Sequence, residues 1–370
     1  MTTSHRGAKR LIDVLVVDDS ALTRQVLTEL LSQAPGFSVR VASDPLLAFE
    51  KLRQRRPDVV VLDLEMPRMS GLDFLRKVMA EDPIPVVVCS AFANRGTQLA
   101  LLALEEGAVD VFPKPQTGLK KFLQDEASEL IDMLRDASEA RPVRRSRELT
   151  STREERRTAT ALLPRPMGVT TPLGTGSLVV VGASAGGTDA IRTVLQTLPA
   201  DAPPIAIVLH MRAEFVEPFV NRLDGVCPQQ VRVAEHGERL HRGKALFAPG
   251  GRHLVVVRRR DDYFAEILDG PPVARHRPSV DVLFRSAATA AGAKGIGILL
   301  TGMGNDGATG MVELRAAGAY TVVQDEASCV VFGMPKEAIA RGAAQAVAPL
   351  ERIGGLALQA ARSGVRGSSS

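Results

Sequence analysis

Residues 178–187 read LVVVGASAGG, an apolar β-branched run that breaks into glycine and alanine around one serine, Ser184. A short, wholly apolar run suits a strand covered on both faces. Residues 188–197 then space apolar side chains three and four apart, as a helix does. A buried strand turning sharply into a helix is the repeating unit of a parallel α/β sheet. Similar runs recur at residues 205–209, 245–248, 254–257, 296–300 and 321–324, with helical spacing between many of them. The expectation is a doubly wound, mostly parallel α/β domain over residues 177–362.

Upstream, residues 137–176 lose strand periodicity and fill with Arg, Glu, Ser, Thr, Pro and Gly, the composition of a flexible linker. Its first part is expected to continue the preceding helix. Further upstream, over residues 10–136, strand-like runs at 13–17, 38–42, 58–62, 86–89 and 109–112 alternate with helix-period segments such as 21–32 and 46–54. That pattern predicts a (βα)5 domain of flavodoxin-like kind. A chain of 370 residues has room for two such cores.

The formal charge of +4 raises the question of nucleic-acid binding. Much of the excess, however, sits in the linker, at Arg141, Arg144, Arg145, Arg147, Arg153, Arg156, Arg157 and Arg165. Nothing reads as a recognition helix or zinc finger, so no nucleic-acid partner is expected. No apolar run approaches the ~18–20 residues that span a bilayer, and MTTSHRGAKR lacks the apolar core of a secretion signal. A cytoplasmic protein without direct membrane insertion is expected. The cysteines, Cys89, Cys227 and Cys329, are far apart and are read as reduced and buried.

Two sets of polar residues fall at the carboxyl ends of predicted strands, where open α/β sheets form their crevices. In the first domain Asp18 and Asp19 follow the first strand, Asp63 the third, Ser90 the fourth and Lys114 the fifth. Three carboxylates in one pocket suit Mg²⁺, a hard cation that prefers oxygen ligands. Asp63 can serve as a phosphoryl acceptor, with Ser90 and Lys114 contacting phosphoryl oxygens.

In the second domain, small residues around Ser184 permit a tight turn that exposes its hydroxyl near a helix N-terminus. From this segment alone, nucleophile and structural turn stand on equal terms. A serine nucleophile needs a base, and His210 ends the strand at 205–209. His236, His241 and His276 lie among polar turn residues, and His253 can border the pocket. A carboxylate to orient the base is offered by Asp306, with Asp325 its rival on spacing. Backbone N–H groups of 302–304 can contribute to an oxyanion hole.

The strings VVDDSALTR (16–24), VVVLDLEMPRMSGLDFL (59–75), Ser90-Ala91 and Phe112-Pro113-Lys114-Pro115 resemble, in order, the motifs of two-component response-regulator receivers. This resemblance implies Mg²⁺ on Asp18, Asp19 and Asp63, phosphorylation of Asp63 by a histidine kinase, and a switch through Ser90 and Lys114. It also points to a cis Lys114–Pro115 bond. Val111 stands where many receivers carry an aromatic switch residue.

GASAGG (182–187), His210-Met211, FAPGGRHL (247–254), RPSVDVLF (277–284), TGMGNDGA (301–308) and QDEAS..VFGMPKEAI (324–339) are similar, again in order, to the catalytic domain of the chemotaxis protein-glutamate methylesterases. The resemblance implies Ser184 as nucleophile, His210 as general base, Asp306 as its orienting carboxylate and the Met303 N–H in the oxyanion hole, with no cofactor for the esterase step. The implied substrate is a glutamate methyl ester on the cytoplasmic part of a chemoreceptor, with receptor glutamines as deamidation substrates. The family pattern has the receiver obstruct the catalytic crevice until it is phosphorylated. Ala185 replaces a threonine often found after the nucleophile, and the segment after His210 lacks the usual proline.

Overall fold

The computed structural model describes residues 11–67, 69–90, 94–114, 127–142 and 176–366. The expected cis bond at Pro115 and most of the Arg-rich linker lie outside these residues. The chain divides into two compact units, Met1–Ser146 and Arg147–Ser370.

In the first unit, strands β1 (Ile12–Val17), β2 (Phe37–Ala42), β3 (Val59–Asp63), β4 (Val86–Ser90) and β5 (Asp110–Pro113) form one sheet in the order β2-β1-β3-β4-β5. Every pairing is parallel. The helices are α1 (Ala21–Gln33), α2 (Pro45–Gln54), α3 (Gly71–Glu81), α4 (Asn94–Glu105) and α5 (Ala127–Ser138). α5 runs into the first residues of the expected linker. Strands β3 and β4 are buried along their whole length, which explains their unbroken valine runs. Side-chain caps start three of the helices where the sequence offers them: Ser20, Asp44 and Ser70 each accept a first-turn N–H.

The second unit is built on a seven-stranded sheet in the order β15-β14-β13-β6-β7-β10-β8. Its strands are β6 (Leu178–Ala183), β7 (Ile205–Leu209), β8 (Gln230–Val233), β10 (Lys244–Phe247), β13 (Gly295–Leu299), β14 (Tyr320–Gln324) and β15 (Ala346–Ala348). It is parallel throughout rather than mostly so. The run at 254–257 is not one of its strands. It belongs to β11 (His253–Arg259), which pairs antiparallel with β12 (Asp262–Leu268), and β12 pairs with β9 (Glu238–Leu240) in a separate three-stranded sheet.

The helices of this unit are α6 (Gly187–Thr197), α7 (Ala213–Asp224), α8 (Val280–Ala291), α9 (Ala308–Ala316), α10 (Met334–Ala340) and α11 (Leu350–Arg366). Leu178, Val180, Val208, Leu246, Phe284, Leu299 and Met311 are among the residues of one buried cluster that joins strands β6, β7, β10 and β13 to helices α8 and α9. None of the described helices is long and apolar enough to cross a membrane.

The register decides what meets at the crevice. Ala183 pairs with Leu209, and Gly182 with Leu299. The next residues along β6 and β7 are Ser184 and His210, on strands about 4.8 Å apart. The loop after β13 carries Thr301–Asp306 to the same rim.

Candidate functional site

The receiver-like unit gathers its acidic residues as expected. Val17 pairs with Leu62, so Asp18 and Asp63 are neighbours just beyond the paired residues. Carboxylate oxygens of Asp18, Asp19 and Asp63 lie within 4.8 Å of one another, with Asp18 and Asp63 buried and Asp19 exposed. Lys114 Nζ donates to Asp63 Oδ2 at 2.7 Å and stands 3.1 Å from Asp18 Oδ2. The second contact is an ion pair without hydrogen-bond alignment, for Asp18 Oδ2 is buried and has no hydrogen-bond partner. Burial is the main cause that raises the pKa of Asp18 and of Asp63; repulsion from Asp63 adds to the first and from Asp19 to the second, while Lys114 opposes both.

One lysine therefore does not neutralise this pocket, and its donor set of carboxylate oxygens fits a hard divalent cation. Ser90 closes β4 in a buried position, and its carbonyl accepts the Lys114 N–H at 2.8 Å. Val111 is buried within β5.

In the second unit, Ser184 occupies the turn between β6 and α6. Gly186 has φ of 72°, and a Cβ there would lie 2.6 Å from Val330 Cβ, so glycine is required for both conformation and space. Gly302 is constrained from the other side, since a Cβ on it would come within 2.8 Å of Ser184 Cβ. Ala185 follows the serine and Met303 follows Gly302, which faces it; the N–H groups of both make no hydrogen bond among the described residues.

His210 Nε2 lies 2.8 Å from Asp306 Oδ2. Asp306 Oδ1 accepts from Ser279 Oγ at 2.8 Å and from the Asp281 N–H at 2.9 Å, and Oδ2 also accepts from the Val280 N–H at 2.8 Å. The carboxylate thus takes up the free N–H groups that begin α8 and sits at the positive end of its dipole. Burial pushes the Asp306 pKa up, but the His210 contact and the helix N–H groups together outweigh it and leave the carboxyl below its ordinary value. An ionised Asp306 requires the proton of neutral His210 to sit on Nε2, leaving Nδ1 as the acceptor. Nδ1 is buried and has no hydrogen-bond partner. Ser184 Oγ is not bonded to it; the two residues are neighbours across the strand ends. Asp325, the spacing rival of Asp306, instead accepts from Ser328 Oγ at 2.6 Å and from the Ser328 N–H at 3.0 Å.

His253 reaches Asp306 through Ser279, whereas His276 behaves otherwise than its sequence context suggests. His253 is 4% exposed and serves as a strut: Nδ1 accepts from the Ser279 N–H at 3.2 Å, and Nε2 donates to Pro271 O at 3.0 Å. His276, read as one residue of a polar turn, stacks on His210 with ring centroids 3.6 Å apart and planes 9° from parallel.

Sequence reading also passed over Thr301 and Gln324, buried at 1% and 0% exposure. The Ser184 N–H donates to Thr301 O at 3.0 Å, and the Thr301 hydroxyl reaches Ala185 O at 3.0 Å and Val331 O at 3.2 Å while accepting the Val331 N–H at 2.9 Å. Gln324 Oε1 in turn holds the Thr301 N–H at 2.7 Å. This network ties the serine turn to the loop that carries Met303. Thr301→Val should leave buried polar groups without partners and cost about 1–3 kcal/mol, with Thr301→Ser closer to wild type. Denaturant titration of the full chain checks this, and a valine variant as stable as wild type would contradict it.

Both units resemble known proteins. Residues 179–356 match the CheB methylesterase family, and residues 14–124 the response regulator receiver domain. The protein-glutamate methylesterase/protein-glutamine glutaminase 1 of Anaeromyxobacter dehalogenans is 54% identical over 94% of this chain and 99% of its own length. A second such protein, from Xanthomonas campestris pv. campestris, is 51% identical over 91% and 97%. The crystal structure of the Thermotoga maritima CheB methylesterase catalytic domain covers 50% of this chain and 98% of its own, at 34% identity and a TM-score of 0.49. With the Anaeromyxobacter and Xanthomonas proteins matched over nearly their whole length, and the acidic crevice and the serine turn both in place, the chain belongs to the protein-glutamate methylesterase/protein-glutamine glutaminase family, a receiver domain followed by a methylesterase domain.

Proposed function

We propose that Ser184, His210 and Asp306 carry out the hydrolysis that the family performs, removing methyl groups from glutamate side chains of chemoreceptors under control of phosphorylation at Asp63. Ser184 Oγ attacks the ester carbonyl while His210 Nδ1 takes its proton, and the resulting imidazolium is stabilised by Asp306 through Nε2. The oxyanion is received by the N–H of Met303, with that of Ala185 in support. Collapse expels methoxide, which leaves as methanol with the His210 proton, and the glutamyl group remains on Ser184. Water, deprotonated by His210, then releases glutamate. With a glutamine side chain the same sequence releases ammonia. The observation that carries this reading is the His210–Asp306 pair, with the second ring nitrogen buried and without a hydrogen-bond partner and Ser184 at the end of the neighbouring strand.

On the receiver, Asp18, Asp19 and Asp63 would hold Mg²⁺, which would offset the carboxylate charge and that of an incoming phosphoryl group. Asp63 accepts the phosphoryl group from a partner histidine kinase, and Ser90 and Lys114 sense it. The domains in this proposal are the receiver at 10–136, the Arg-rich linker at 137–176 and the methylesterase domain at 177–362. The site for the receptor is in the cytoplasm, and no nucleic acid takes part.

Methanol release from methylated receptor, with and without a small-molecule phosphoryl donor, tests the whole scheme. Release should rise with the donor; a rate indifferent to it would count against the control. Asp63→Asn should lose that response. It should also raise the thermal midpoint of the receiver. Because the pKa of Asp63 is raised by folding, the folded form holds more protons than the unfolded form above pH 3.8 and loses stability as pH rises from there. The variant should lack this loss, and added Mg²⁺ should stabilise wild type more than the variant. Equal midpoints at neutral pH would refute the cost of holding Asp63 ionised in this pocket.

A further inference from the structure

The segment that presents His276 is held in an unusual way. Val273 and His276 exchange backbone hydrogen bonds, His276 N–H to Val273 O at 2.9 Å and Val273 N–H to His276 O at 3.0 Å. The two residues between them, Ala274 and Arg275, have φ of 49° and 70°. Turns of this kind normally use Asn or Gly, so the left-handed backbone here stores strain that the surroundings must hold. They do so from both sides, since His253 fixes Pro271 and Ser279 at 3.0 and 3.2 Å, and Arg277 Nη1 donates to Gly270 O at 2.7 Å. What this held turn delivers is one imidazole laid flat on another, 3.6 Å away.

We propose that His276 is a positioning residue for the catalytic base: its ring covers one face of the His210 imidazole, keeps it in the plane that joins Nε2 to Asp306, and provides an uncharged π-surface for the imidazolium that forms during acyl transfer. The proposal rests on the reading of His210 as the base. Three charged or titratable groups face His276. Burial and the neighbouring His210 push its pKa down to about 4, Arg275 pushes the same way, and Asp306 opposes them. His276 is therefore neutral at pH 7 and does not compete with His210 for a proton. Stacked on a cation, a neutral ring attracts; a second cation there would repel.

The test uses the full chain with phosphoryl donor present, and follows methanol release from methylated receptor against pH for wild type, His276→Ala and His276→Phe. Loss of the ring should lower kcat about ten-fold with KM nearly unchanged, and phenylalanine, flat and uncharged, should recover most of it. The His210 ring titration, read by NMR in each protein, should fall to lower pH in the alanine variant and return towards wild type with phenylalanine. Wild-type kcat and titration in His276→Ala would overturn the proposal, as would a folded His276→Phe no better than alanine. Should the alanine variant fail to fold, His276→Phe decides alone: near-normal kcat supports the stacking role, and a folded but crippled enzyme refutes it. Ser184→Ala is measured alongside. If it retains activity, the reading of the site fails; if it is inactive while His276→Ala is normal, only this inference fails.

Discussion

Ser184→Ala is expected to abolish methanol release from methylated receptor, lowering kcat by on the order of 10⁴–10⁶ while the variant still folds and takes up phosphate at Asp63. The size of the effect follows from chemistry rather than packing. Alanine fits the turn, because the serine side chain makes no hydrogen bond that the fold depends on, and the constraints on the turn come from Gly186, Gly302 and the Thr301 carbonyl. What disappears is the atom that forms the acyl bond in the proposed mechanism. A variant that released methanol at more than a hundredth of the wild-type rate would mean that water is activated directly, and the covalent route would be abandoned. The same experiment separates an enzyme from a receptor-binding adaptor, for which the hydroxyl would be dispensable.

Asp306→Asn should lower kcat by about 10⁴ with the backbone unchanged. In wild type all four donors around the carboxylate are aimed at it: His210, Ser279, and the N–H groups of Val280 and Asp281. An amide keeps one acceptor oxygen and turns two hydrogens towards the other pair. His210 must then offer Nε2 as an acceptor, which puts its proton on Nδ1 and removes the group that takes the proton of Ser184. Stability should fall too, by about 1–3 kcal/mol, because the N–H of Val280 is left facing a donor. Since folding lowers the pKa of Asp306, its stabilising contribution is complete above pH 3.8 and is lost only as the pH falls through the lower folded value. The stability gap between variant and wild type should therefore be constant around neutral pH and close in acid. Steady-state kinetics and urea titration at several pH values measure both effects, and a variant with wild-type kcat would remove Asp306 from the mechanism.

How much of this was legible in the sequence differs between strands and loops. The apolar runs of β1, β3, β4, β6 and β7 lie in sheet interiors, where a local apolar pattern suffices; the ends of β1, β3, β4 and β7 fall within a residue of expectation, while β6 continues past its valine run through Gly182 to Ala183. Asp18, Asp63, Ser184 and His210 were visible for the same reason, since each stands at the end of such a run. The edge strands β8 and β15 and the antiparallel β9 and β12 were not, because they are short or only half covered, and half-covered strands mix polar with apolar residues.

His276 was hidden for a different reason. Its turn has neither Gly nor Asn, and its meeting with His210 depends on His253, Pro271 and Ser279 acting together across the fold. The Thr301–Gln324 bond likewise joins the end of one strand to the loop after its neighbour, a contact with no local signature. The residues to which chemistry is assigned are marked by their position at strand ends; those that hold them in place show themselves only through tertiary contacts.

The most direct measurement of the central claim is labelling of the full chain with a fluorophosphonate, followed by peptide mapping. Serine activated by an imidazole–carboxylate pair should be modified at Ser184 in stoichiometric amount, and His210→Ala and Asp306→Asn should each slow that labelling at least a hundred-fold. An active esterase left unlabelled at Ser184, or labelled there at the same rate without His210, would contradict it.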